Sequence, residues 1–191
     1  NQYSASTWNS IGTKQEIDLV NVALDLTYDE KTRQVYGFFY AEDQNEYTKF
    51  AKFSLSTAEI TALTDDNVER QAYACAADGN GTIYWLSSTR LGTINADGSG
   101  YTYLYSPKVY PERRNTMAYD PTTGLLYALV TTEQMQSGVR SYISSLYSID
   151  PVSKAVTQIR QFPTEQGFAG LYVLPLEIAD DAPGQVSDVS F

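Results

Sequence analysis

The chain has 191 residues, enough for one well-packed domain or for one domain plus a fragment of a second, and its 42% hydrophobic content is sufficient to bury a core. Its net charge of −10 repels phosphate backbones, which removes nucleic acid from the expected partners. With no histidine and one cysteine, it lacks the means for Ser-His-Asp catalysis, histidine metal sites, cysteine-based zinc sites or an intramolecular disulfide.

Aromatic residues make up 13% of the chain, and sixteen of them are Tyr, a residue that favours pleated, half-buried surfaces. No apolar run approaches the roughly 18 residues a membrane helix needs, so no membrane insertion is expected. The opening "NQYSASTWNS" is polar and lacks an initiator Met. A processed or trimmed chain is therefore expected, compatible with a removed export signal.

Three phrases of similar form follow one another: "LTYDEKTRQVYGFF", "CAADGNGTIYWLS" and "MAYDPTTGLLYALV". Their turn aspartates are Asp29, Asp78 and Asp120, 49 and 42 residues apart, and their closing tyrosines are Tyr36, Tyr84 and Tyr127, 48 and 43 apart. A period near 45 residues belongs to propellers and solenoids. Each phrase reads as a hairpin, with alternating residues such as Leu24, Leu26 and Tyr28 before the turn and β-branched or aromatic residues after it. The turn Asp is expected to accept backbone N–H groups two residues on, an architectural role.

A second hairpin follows in each unit: "FAKFSLSTAEITALT", "LGTINADGSGYTYLY" and "SLYSIDPVSKAVTQI". Two hairpins give four strands per unit. Within Thr57–Ala77, the spacing of Ala58, Ile60, Ala62 and Leu63 offers one face of a helix. The Asp65-Asp66-Asn67 break and the repeat register argue for strands instead. Cys75, flanked by alanines, reads as a small buried hydrophobe. The runs "DGNG" and "NADGSG" are too short for a calcium loop and read as turns, so neither metal nor cofactor is expected.

Four-stranded units of this length with Asp–turn–aromatic phrasing resemble β-propeller blades. The closest likeness is to the YVTN, NHL and kelch-type propellers, particularly secreted bacterial ones. It is carried by the hairpin at 120–127, by its analogues at 29–36 and 78–84, and by "SIDPVSKAV" at 148–156. The resemblance implies an all-β array of antiparallel blades near 20–64, 71–106 and 114–162, with a partial blade at 167–176. About four blades at most are expected in a propeller-like domain over 1–176, either as a small ring or as part of a larger one. Residues 177–191, with "DDAPGQVSDVSF", resemble a linker and the first strand of a fibronectin type III-like domain; an ordinary closing strand is the other reading. A secreted or cell-surface setting follows from the same resemblance.

The repeats place the short turns (29–34, 78–82 and 120–125; 56–59, 95–100 and 150–154) on one face and the loops of variable length on the other, where binding usually resides. Three stretches there are candidate sites. "YAEDQNEYTKF" (40–50) offers Tyr40 and Tyr47 with Glu42, Asp43 and Glu46. "YSPKVYPERRN" (105–115) offers Tyr105, Lys108, Tyr110, Glu112, Arg113 and Arg114. "TTEQMQSGVRSY" (131–142) offers Glu133, Met135, Arg140 and Tyr142. Aromatic platforms beside Arg and carboxylates suit a glycan or a protein ligand, while solvated loops stiffened by Pro107 and Pro111 are the plain alternative. The expected role is a non-catalytic binding or scaffold domain. The alternatives are a glycan-active enzyme using carboxylates among Asp43, Glu46, Glu112 and Glu133, and a purely structural spacer. The rest of the propeller, or a second chain, is a further expected partner.

Overall fold

The computed structural model describes residues 23–40, 47–57, 59–64, 69–70, 72–111, 115–162 and 170–173. Among them there is no helix. Thirteen strands form three antiparallel sheets, each a simple up-and-down meander. The first comprises β1 (Ala23–Asp29), β2 (Gln34–Tyr40), β3 (Tyr47–Phe53) and β4 (Ile60–Ala62), and the two-residue β5 (Glu69–Arg70) also pairs with β3. The second is β6 (Ala74–Ala77), β7 (Thr82–Leu86), β8 (Leu91–Asn95) and β9 (Thr102–Tyr105). The third is β10 (Thr116–Asp120), β11 (Leu125–Gln136), β12 (Val139–Ile149) and β13 (Val156–Gln161). The molecule is an all-β, propeller-like array of four-stranded blades. The helical spacing at Ala58–Leu63 is overridden, since Ile60–Ala62 pairs with Ala51–Phe53.

Alternation explains why the sheets stack. In β7, Ile83 and Trp85 point to the first blade, while Tyr84 and Leu86 point to the third. One interface is built from Tyr36, Phe38 and Phe50 against Cys75, Ile83, Trp85 and Ile94. The other sets Ala74, Ala76, Leu86 and Leu91 against Met117, Leu126, Ala128, Val130 and Ile149. A middle blade buried on both faces needs the near-continuous apolar run "IYWL", as parallel sheets do for the same reason. Cys75 is fully buried and unpaired, and burial, followed by the charge of Asp25, pushes its thiol pKa well up. It packs as a hydrophobe, as its alanine neighbours suggested.

The turn aspartates hold their hairpins. Asp78 Oδ1 accepts the N–H groups of Asn80 (2.7 Å) and Thr82 (3.0 Å), and Asp120 accepts Thr122 N–H (2.9 Å) and the Thr123 hydroxyl (2.6 Å). Asp97 and Asp150 do the same for Ser99 and for Val152 and Ser153 in the second hairpins. Asp29 goes further. Fully buried, it takes Thr32 N–H (2.9 Å) and the Thr32 hydroxyl on one oxygen, and Gly81 N–H of the next blade (3.1 Å) on the other. The expected fourth unit lies outside the described residues except for 170–173, which form no strand, and 174–191 lie wholly outside them.

Candidate functional site

Antiparallel meanders put the turns after the first and third strands of each blade at one end. The turns after the second strand, and the blade-to-blade connections, lie at the other. The structure sets three features at or near this second end. They are a ribbon, a stiff loop and a cluster at the start of the inner strands.

The ribbon is the outer half of β11 and β12. The stretch 131–142, expected to be an irregular loop, is instead paired strand from Thr131↔Ser144 to Gln136↔Val139. Only Ser137 and Gly138 turn, with φ of 50° and 80°. Positive φ at both central residues is the type I′ geometry whose twist matches the flanking strands. The other paired strands stop short: β10 begins opposite Leu129 and β13 ends opposite Ser145. Among the described residues, the ribbon therefore runs past its neighbours, with neither edge paired by another strand. One face carries Met135 beside Arg140 and Glu133 beside Tyr142, with Arg140 Nε donating to Glu133 Oε1 across the diagonal at 2.8 Å. Met135 is 61% exposed and Val139 is 68% exposed. Towards the sheet, the hydroxyls of Thr131 and Ser144 meet at 3.0 Å, and Thr131 N–H donates to Asn115 Oδ1 at 2.8 Å.

The stiff loop joins the second blade to the third. Pro107, Val109 and Pro111 are buried, Val109 in the core between those blades. Lys108 and Tyr110 alternate with them and point outward, with Tyr110 54% exposed. Both have left-handed backbone, φ 57° and 46°. That conformation costs a non-glycine residue roughly 1 kcal/mol or more. The three buried neighbours fix the backbone that presents these two side chains.

Other expected site residues fall elsewhere. Tyr105 is not a platform. Its ring packs against the core between the second and third blades, its hydroxyl donates to Asp150 O at 2.9 Å, and burial raises its pKa to about 12. Tyr40 and Tyr47 belong to β2 and β3 rather than to a loop, paired with Thr48 and Arg70. Glu42, Asp43, Glu46, Glu112, Arg113 and Arg114 lie outside the described residues. The connection after β7 is short, 87–90, so the differing unit lengths in the second and third blades come from strand extension as well as loops.

Asp25 was not among the expected site residues. From β1 it reaches the inner strands of both other blades: Oδ2 accepts Cys75 N–H (3.1 Å) and Met117 N–H (3.3 Å), while Oδ1 accepts Leu26 N–H (3.0 Å) and the Thr116 hydroxyl (3.4 Å). Thr27 Oγ1, one turn of the alternation further, accepts Ala77 N–H at 2.8 Å. Burial pushes the Asp25 pKa up to about 7, against the lowering effect of those donors. A perturbed carboxyl is a common catalytic sign, yet here the donors saturate both oxygens. The available signal was the polar "D-x-T-x-D" alternation in a strand otherwise facing a core.

No protein-family model matches the chain, and no curated protein does. Solved structures resemble it in fold. The nidogen/laminin complex aligns with a TM-score of 0.53 at 19% identity, over 74% of this chain and 49% of that one. Kuenenia stuttgartiensis hydrazine synthase (0.43, 13%, 80% and 52%) and an oligogalacturonate lyase in complex with manganese (0.40, 14%, 78% and 44%) follow. The chain spans about half the length of the solved chains it matches.

Proposed function

We propose that this is a non-catalytic binding module that engages a protein partner through its long-loop face. The observation that carries the reading is the projecting ribbon 131–142, paired at its edges by no other described strand, with Met135 and Val139 exposed at its tip. Aliphatic side chains on a projecting ribbon favour a protein over a glycan, which would ask for aromatic platforms. Lys108 and Tyr110, held outward by a buried backbone, extend the same face, and rigid presentation lowers the ordering cost of binding. A secreted or cell-surface bacterial setting is supported by the likeness of the repeat phrasing to such propellers.

Lysine cross-linking with extracts of the source cells and their medium tests the face. Lys108 lies at the long-loop end, whereas Lys31 and Lys154 lie in turns at the opposite end. Partner cross-links are expected through Lys108, and they should weaken on Met135→Ser/Val139→Ser replacement. Cross-links running through Lys31 or Lys154 and indifferent to that replacement would overturn the reading.

A further inference from the structure

Pairing within the ribbon decides which way its main chain points. Thr131 N–H leaves β11 on the side away from β12, since it donates to Asn115 Oδ1, and Thr131 forms with Ser144 a close pair whose hydroxyls meet at 3.0 Å. Ser144 O likewise faces away from β11, accepting Phe162 N–H at 2.8 Å. In an antiparallel ladder this orientation recurs at every second residue. The N–H and C=O groups of Glu133 and Met135 therefore also point out from the edge of β11, while those of Thr132, Gln134 and Gln136 turn to β12. On that outer side β10 begins opposite Leu129, and the side chain of Asn115, just before it, takes the next ladder bond. No described strand lies beside β11 from there to its tip.

Two outward N–H groups with two outward C=O groups are a template for a further strand. Edges that must stay single carry Lys, Pro or a bulge, whereas 131–136 reads "TTEQMQ" and pairs with β12 without one. The charge of this stretch is Glu133 and its large apolar side chain is the exposed Met135, both on one face. Arg140 Nε engages Glu133 Oε1, and no described group engages Oε2. We infer that the protein partner, on the reading proposed above, contributes an extended segment that adds to the edge of β11 as an antiparallel strand in line with β10. It places an apolar residue opposite Met135 and, two residues later, a Lys or Arg opposite Glu133. The antiparallel sense continues that of β10 and lets Glu133 and Met135 each exchange both main-chain bonds with the residue opposite. Main-chain pairing then supplies affinity, and the two side chains supply selectivity.

A phage-displayed library of random dodecapeptides, panned on the full chain, tests this. Met135→Pro removes an N–H that β12 does not use and blocks the edge with its ring, so amide protection at Gln134 and Ser141 should stay native. Enriched peptides are expected to read apolar-x-basic and to bind Met135→Pro about thirtyfold more weakly than the native chain. Met135→Ser, which deletes only the side-chain contact, should cost about threefold, and Glu133→Gln should erase the preference for Lys or Arg. Equal losses in Met135→Ser and Met135→Pro would overturn strand addition while leaving the ribbon face as the binding surface. Peptides indifferent to both replacements would sink that wider reading too, and failure to enrich any peptide would overturn the added strand. Should Met135→Pro fray the ribbon, amide exchange in the native chain decides: an added strand slows Glu133 and Met135 N–H about tenfold or more, whereas side-chain docking leaves them unchanged.

Discussion

The Tyr105 hydroxyl donates to the backbone carbonyl of Asp150, 2.9 Å away, tying the outermost strand of the second blade to a turn of the third. The ring lies along the core, with the Lys154 ammonium 6.0 Å from its centroid. Tyr105→Phe keeps the ring and deletes the bond, so it should cost about 1 kcal/mol in urea unfolding with an unchanged slope. Because the folded phenol titrates at about 12 rather than 10, the native state holds its proton longer. The stability Tyr105 supplies is complete below pH 10 and is lost as pH rises through 12, and the phenylalanine variant should lack that alkaline loss.

Asp29 and Asp120 occupy the same place in the repeat but should respond differently. Asp120 serves its own turn, on the surface. Asp29 is fully buried and also accepts Gly81 N–H from the next blade, while Tyr36 OH donates to the same Thr32 hydroxyl that donates to Asp29. Asp29→Ala should cost about 2 to 3 kcal/mol, because it orphans several half-buried donors around a buried site, whereas Asp120→Ala leaves its donors to water and should cost far less. Equal losses in parallel denaturant titrations would refute the distinction.

How much of this the sequence displayed depends on whether a role is periodic. Asp29, Asp78 and Asp120 recur, so their hairpins were legible, and with them the strands and the blade type. The extra bond from Asp29 to Gly81 depends on how one blade sits against the next, which no local pattern encodes. Asp25 stayed hidden for the same reason: its partners are 50 and 92 residues away. Tyr105 is ambiguous in the sequence because a tyrosine at a strand end looks alike whether it faces solvent or the neighbouring blade. The ribbon did have a local sign, the Ser137-Gly138 pair between alternating residues, but polar Gln134, Gln136 and Ser141 made it resemble a loop.

Acid should weaken the turns. Hydrogen bonds from Ser99, Thr123 and Ser153, the largest cause in each case, hold Asp97, Asp120 and Asp150 below their ordinary pKa. A depressed carboxyl stabilises the fold above its unfolded value of 3.8, and that contribution is lost as pH falls through its folded value. Asp25 acts in the opposite direction between about pH 4 and 7. Thermal stability should therefore peak near pH 4 to 5. A chain carrying Asp97→Asn, Asp120→Asn and Asp150→Asn together should show a shallower acid limb in calorimetry while keeping the decline towards neutral pH.

Gly92 is required by Trp85. The indole stacks on Tyr101, rings nearly parallel with centroids 5.0 Å apart, and lies against Gly92, its partner across the strands. A Cβ there would lie 2.0 Å from Trp85 Cζ2 and 2.3 Å from the Thr102 carbonyl oxygen. The backbone carbonyl cannot swing aside as a side-chain tip does. Gly92→Ala should thus displace the indole, cost about 3 kcal/mol and shift the Trp85 fluorescence to the red. An unshifted emission spectrum with native stability would show that the second blade relaxes at no cost.

The ribbon should fail separately from the fold. Gly138 sits at φ 80°, open to solvent, and a Cβ added there would meet nothing within 4 Å, so its constraint is conformational rather than steric crowding. Gly138→Val puts a β-branched residue where left-handed backbone is required, and a two-stranded ribbon paired by no other described strand has little to hold it. Amide protection at Gln134 and Ser141 should drop by about tenfold, whereas Leu126 and Ile149, in the core of the same strands, should keep theirs. The melting temperature should stay within about 2 °C of the native value, because the apolar interface of the blade is untouched. If partner capture falls together with ribbon protection while the core remains intact, the binding energy resides in the ordered ribbon. Capture at the native level with a frayed ribbon would move the binding site to the Lys108–Tyr110 loop.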